Sequence, residues 1–154
     1  MPHIHDRIDF VADVFIVNDG KVLLRKHDKY KMWLSVGGHI ELDEDPNRAA
    51  IREVKEEVGL DVVLVSSIHA FSRPEEGQEL IPPRFMNRHR INNNHEHISL
   101  VYFATTENTN IVQGTNEISE EIRWFTKAEL SDPIWGLSER QQYYAIMALQ
   151  EVVT

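Results

Sequence analysis

The chain has 154 residues, 42% apolar and 27% charged, a globular balance with enough material for one sizeable core. No apolar run approaches the roughly 20 residues that span a bilayer, and the polar start Met1-Pro2-His3-Ile4-His5-Asp6 holds no signal-peptide core, so a cytoplasmic protein off the membrane is expected. The lack of cysteine excludes disulfides and thiolate metal sites, and 16 basic against 25 acidic residues, net −9, argue against a nucleic-acid polymer as partner.

Taken in chain order, residues 10–17 (FVADVFIV) read as a strand, Asn18-Asp19-Gly20 as a turn and residues 21–25 (KVLLR) as the returning strand of a hairpin. A short apolar run from 33 to 36 ends at Gly37-Gly38. The clearest helix follows. Asp45 caps it, Pro46 suits its first position, and Gly59 stands where a left-handed C-cap belongs. Between them Ala50, Ile51, Val54 and Val58 form an apolar stripe. Residues 60–71 (LDVVLVSSIHAF) read as a strand or strand pair. Residues 72–94, with Pro74, Pro82 and Pro83, read as a long polar loop. Residues 98–105 and 121–125 are further strands, the second followed by a helical turn at 127–130. Ser138 caps a final helix running to about residue 152. Trp124 and the stripe Tyr143, Ile146, Met147 are assigned to the core. The order is α+β, with a mixed sheet and two main helices.

The first helix carries Arg52-Glu53-Val54-Lys55-Glu56-Glu57. Spacing of i, i+3 and i+4 projects Glu53, Glu56 and Glu57 together. Three like charges repel one another, and a hard divalent cation turns that repulsion into attraction. It would also let a chain of charge −9 hold an anionic substrate. A solvated acidic face is the other reading of E-x-x-E-E alone. Context favours the cation: Gly37-Gly38 ends a strand just before the helix and allows close backbone approach, and Glu41 and Glu44 fill the intervening loop.

With U an aliphatic residue, Gly38, five residues, Glu44, seven residues, Arg52-Glu53-Val54-Lys55-Glu56-Glu57-Val58-Gly59-Leu60 fits G-x5-E-x7-R-E-U-x-E-E-x-G-U at every defined position. The segment resembles a complete Nudix box. The resemblance implies a Nudix-like α/β/α sandwich, a mixed β-sheet between helices, with residues 1–154 as a single Nudix hydrolase domain. Val36 departs from the Pro that many members have before the double glycine.

The resemblance also implies a function: Mg²⁺-dependent hydrolysis of a pyrophosphate bond in a nucleoside diphosphate linked to X, with Mn²⁺ as the alternative metal. By position, Glu53, Glu56 and Glu57 are the metal ligands, with the Gly37 carbonyl as a backbone ligand. Arg52, Glu53 and Glu56 are the catalytic group, Arg52 orienting the glutamates. Glu44 pairs within the box or helps bind metal. Members of the family take their general base either from the box or from a later loop. Glu53 is the first choice here, with Glu96, Glu117, Glu120 and Glu121 as alternatives.

Residues 82–97 form a basic island in an acidic chain. Arg84 and Arg88 are candidates to meet substrate phosphates, as is Arg25 at the end of the hairpin. Dimer contact or a solvated loop is the competing reading of the island. His95 and His97 share a strand face by alternation. They are expected at a strand edge, with His95 touching substrate. Trp33 and Phe85 are weighed as base-stacking groups and assigned to the core. Pro74 falls near the position of a proline that marks ADP-ribose pyrophosphatases in the family. The expected partner is a nucleotide-type small molecule, with a homodimer open. The competing function is a Nudix-fold nucleotide-binding regulatory module. It is disfavoured because no box carboxylate is lost, and an isopentenyl-diphosphate isomerase is disfavoured because there is no Cys.

Overall fold

The structure, a computed structural model, describes residues 6–115 and 118–153. Eight strands form one mixed sheet around a parallel pair, β1 (Ile8–Asn18) and β7 (His95–Thr105). Both strands are rich in β-branched and aromatic residues and are buried along most of their length, as interior strands should be. β1 turns into β2 (Lys21–His27) through Asp19 and Gly20, both at positive φ, which matches the twist of a tight hairpin. The other edge of β1 is shared. β2 takes its C-terminal part, and β4 (Val36–His39) takes Val11 to Val14. β2 also pairs with β3 (Trp33–Leu34) and β8 (Ser119–Thr126).

One helix covers each face of this sheet. α1 (Pro46–Val58) buries Ala49, Ala50, Val54 and Val58 against Ala12, Val14, Ile16, Leu23 and Val36. Its N-cap Asp45 accepts from the Arg48 amide at 2.9 Å, and Gly59 closes it at φ 72°. On the other face, α2 (Lys127–Leu130) and α3 (Glu139–Glu151) pack Leu130, Tyr144, Ala145 and Ala148 on Phe15, Val17, Leu24, Phe103 and Phe125.

Four expectations need correction. Ile51 is not in the stripe: it is 43% exposed, and Ala49 is buried in its place. The helix buries an arc that also includes Glu53 and Glu57, so it is rotated away from the side its apolar residues alone suggest. In α3 the buried position is Tyr144, while Tyr143 is exposed. Within 60–71 only β5 (Val63–Leu64) is a strand, paired with β7. The loop expected over 72–94 ends early, because β6 (Phe85–Asn92) forms a hairpin with β7. Alternate β6 residues turn inward, but Asn87 and His89 are among them, so the period of two is not visible as hydrophobicity.

Candidate active site

Cross-strand partners point to the same side of a sheet. Gly38 opposes Ala12 and faces α1, whereas Gly37 and His39 oppose Asp13 and Val11 and face α3. The two glycines are required by contact. A Cβ on Gly37 would sit 2.0 Å from the Ala12 carbonyl oxygen, and one on Gly38 would sit 2.4–2.6 Å from the Glu53 carboxylate. The backbone at Gly38 therefore forms the floor under that carboxylate.

Glu53 and Glu57 are buried, at 2% and 6% exposure, while Glu56 projects into solvent. Burying carboxylates is costly unless they are paired, and two arginines supply the pairing. Arg52 donates to both oxygens of Glu44 (2.9 and 2.6 Å), to Glu53 (2.9 Å), to Glu56 (3.1 Å) and to the His39 carbonyl (3.0 Å). The bond to Glu44, followed by the charge of Glu53, holds the Arg52 guanidinium firmly protonated. The bond to Arg52 likewise pushes Glu44 below the usual carboxylate range. Arg25 Nε lies 3.2 Å from Glu57 Oε2, and the Gly37 amide donates to the same oxygen at 3.3 Å. Residues 106–115 run past the end of α1, where the Gly114 amide donates to the Glu57 carbonyl at 3.1 Å.

This donor set fits a hard divalent cation. Three carboxylates from one helix turn converge beside a glycine backbone that leaves room for nothing larger than hydrogen. Two of them are fixed in place by Arg25 and Arg52, and the exposed Glu56 marks the open side.

The structure distributes the basic island unevenly. Arg25 is buried on Glu57 and Ser119, so it positions a carboxylate of the box where a phosphate contact was expected. Arg84 pairs with Glu151 of α3 and stacks on Phe85, which places it on the side of the sheet away from α1. Arg88 pairs with Glu96 through two bonds of 2.8 Å. The register sets Arg88 opposite Ile98 and Ile98 opposite Phe10, on the α1 face of the sheet. Phe10 and Met86 leave that stretch of sheet apolar and open, at 48% and 59% exposure. Trp33 and Phe85 are core groups, packed on Phe125 and Tyr144.

Among the alternative bases, Glu120 pairs with Lys31, which lowers its pKa, and Glu96 is held down in the same way by Arg88. Glu121 is exposed, opposite Lys26. Glu117 lies outside the described residues.

His95 and His97 are not at an edge, since β7 is paired on both sides. They turn to the α3 face, where His95 Nε2 lies 3.1 Å and His39 Nε2 lies 3.2 Å from Asp9 Oδ2. Nothing in the sequence joins Asp9 and His39 to the His-Glu-His run, because the pairings that unite them are long-range. On the same face Asp13 is pushed up to about 6 by burial, against the pull of a Ser99 hydrogen bond and the charge of Arg25.

Comparison with known proteins agrees with this architecture. A profile of the NUDIX domain matches residues 9–146. A Nudix-family hydrolase of Clostridium perfringens superposes with a TM-score of 0.81 and 35% identity, covering 92% of this chain and 96% of that one. The CTP pyrophosphohydrolase of Escherichia coli is 30% identical over 106 residues, 65% of this chain and 78% of that protein. A putative 8-oxo-dGTP diphosphatase of Bacillus subtilis is 32% identical over 65 residues, 42% of this chain and 44% of that protein. A match over most of the chain, with the box intact on a capped helix, means that the protein belongs to the Nudix family of divalent-metal hydrolases acting on nucleotide pyrophosphate bonds.

Proposed function

We propose that residues 1–154 act as one Mg²⁺-dependent nucleotide pyrophosphatase of the cytoplasm, with Mn²⁺ as a substitute. It cleaves a phosphate–phosphate bond in a nucleoside diphosphate linked to X, and a (d)NTP or an ADP-ribose-like molecule is the substrate class. The observation that carries this reading is the seating of the buried Glu53 carboxylate on Gly38, with Arg52 tying it to Glu44 and Glu56.

Glu53, Glu56, Glu57 and the Gly37 carbonyl would hold the metal, which would supply charge neutralisation for the diphosphate and lower the pKa of the nucleophilic water. Arg52 fixes Glu53 at Oε1, and the Glu53 carboxylate would take the proton of the attacking water. Arg25 and the Gly37 amide keep Glu57 from rotating away. Arg88, on the α1 face, exchanges its Glu96 partner for a substrate phosphate, and the open surface of Phe10 and Met86 receives the apolar part of the substrate.

The test is a panel of (d)NTPs, ADP-ribose, nucleotide sugars, dinucleoside polyphosphates and prenyl diphosphates, with Mg²⁺ or with chelator. Hydrolysis of a nucleotide is expected with Mg²⁺ alone. Glu53→Gln and Glu56→Gln should each lower kcat by about 10²- to 10⁴-fold, and Arg88→Ala should raise KM. Wild-type turnover in both glutamine variants would overturn the assignment. Tight binding of one nucleotide without turnover of any would favour a regulatory module.

A further inference from the structure

We propose that Asp9, His95 and His97 form a second metal site, on the α3 face of the sheet, which takes a zinc-like divalent cation independently of the carboxylates on α1. The carboxylate oxygen and imidazole nitrogens of these three residues lie within 4.8 Å of one another, and Asp9 and His95 are buried. Two ligands of a tetrahedral zinc, each about 2.05 Å from the ion, stand roughly 3.3 Å apart. His95 Nε2 is already 3.1 Å from Asp9 Oδ2, so this pair needs little movement to ligate.

The hydrogen bonding of His95 points the same way. Its Nδ1 lies 3.3 Å from the Asp6 carbonyl oxygen. A carbonyl oxygen only accepts, so Nδ1 carries a hydrogen, and Nε2 is the nitrogen turned to the Asp9 carboxylate. A backbone carbonyl on the far nitrogen is also the outer contact that metal-bound histidines commonly make.

His97 is ringed by His39, His95 and His89, with centroids at 5.1, 5.2 and 5.7 Å. His39 Nε2 stands 3.2 Å from the same Asp9 Oδ2. A surface hollow whose lining includes Arg7, Arg90, Asn94, His95 and Glu96 adjoins His95. Two imidazoles and one carboxylate suit zinc, cobalt or nickel, whereas the all-oxygen set on α1 suits Mg²⁺. The two sites face opposite sides of the sheet, so they should sort metals by ligand type.

The test loads chelator-stripped full-length protein with stoichiometric Zn²⁺ or Co²⁺ under excess Mg²⁺, then dialyses it. One zinc per chain should remain, and the cobalt form should show the intense visible absorption of a four- or five-coordinate site with nitrogen ligands. The double variant Glu53→Gln/Glu56→Gln should keep its zinc. Asp9→Asn and His97→Gln should each weaken binding by at least about tenfold, with folding checked by circular dichroism. If a variant fails to fold, the wild-type cobalt spectrum decides. A wild-type chain that keeps no zinc, a faint six-coordinate cobalt spectrum, or zinc lost from the glutamate variant but kept by His97→Gln would overturn the proposal. None of these results bears on nucleotide hydrolysis, which is measured with Mg²⁺.

Discussion

Replacing Arg52 with Met keeps most of the side-chain stem and removes a guanidinium that makes five hydrogen bonds, two to Glu44 and one each to Glu53, Glu56 and the His39 carbonyl. The Glu53 side chain is only 3% exposed, so water cannot take the place of the lost partner. Breaking a buried ion pair from one side costs about 3–5 kcal/mol. Arg52 itself is 26% exposed, which places the expected loss at the lower end, about 3 kcal/mol. In a chain of this size each kcal/mol moves Tm by about 2–4 °C. Thermal unfolding in EDTA should therefore show Tm lowered by about 6–12 °C. Mg²⁺ binds the carboxylates that have lost their cation, so saturating Mg²⁺ should raise Tm more in Arg52→Met than in wild type. Turnover should stay low, because charge is restored and orientation is not. A Tm within about 2 °C of wild type in EDTA, or wild-type kcat with Mg²⁺, would refute the view of Arg52 as the group that holds the box together.

Other expectations test neighbouring parts of the molecule. Gly38→Ala puts a methyl on the Glu53 carboxylate and should abolish Mg²⁺-dependent turnover while the far-ultraviolet circular dichroism stays native; full activity would mean that Glu53 does not need that floor. Asp13 binds its proton more tightly folded, at about 6, than at its ordinary 3.8, so its contribution to stability is lost as pH rises between those values and stays lost above them. The difference is about 3 kcal/mol. Urea unfolding of Asp13→Asn should show a gain over wild type at pH 7 that fades toward pH 4, and a gain independent of pH would contradict the assignment. Ser138→Ala removes the acceptor for the Gln141 amide at the start of α3 and should cost about 1 kcal/mol; an unchanged unfolding midpoint would show that this helix end is held by packing alone.

The parts of the fold legible in the sequence are those fixed by near neighbours. Asp45, Pro46 and Gly59 bound α1, Asp19-Gly20 makes the hairpin turn, and Ser138 starts α3, each through contacts within a few residues. The box is legible for the same reason, since Glu53, Glu56 and Glu57 follow one another around a single helix. What stayed hidden depends on distant partners. β6 is held by β7, with polar Asn87 and His89 turned inward, so its sequence resembles a loop. Arg25 reads as a charged strand end until Glu57, from another element, is brought against it. Ile51 lost its place because α1 turns Glu53 and Glu57 toward the sheet, and that rotation follows from Arg25, Arg52 and Gly38 more than from the apolar pattern.

The parallel pairing of β1 with β7 joins segments far apart in the chain: Asn18 Nδ2 donates to the Thr106 carbonyl 88 positions away. Closing such a loop carries an entropic cost before any contact rewards it, and long-range parallel pairing is slow for that reason. During synthesis the box helix, complete by Gly59, leaves the ribosome well before the strand that finishes the sheet beneath it. Until then α1 lacks the part of its packing surface that Leu100, Tyr102 and Ala104 of β7 supply. A variant that weakens β7 should therefore delay the appearance of activity more than the appearance of helix.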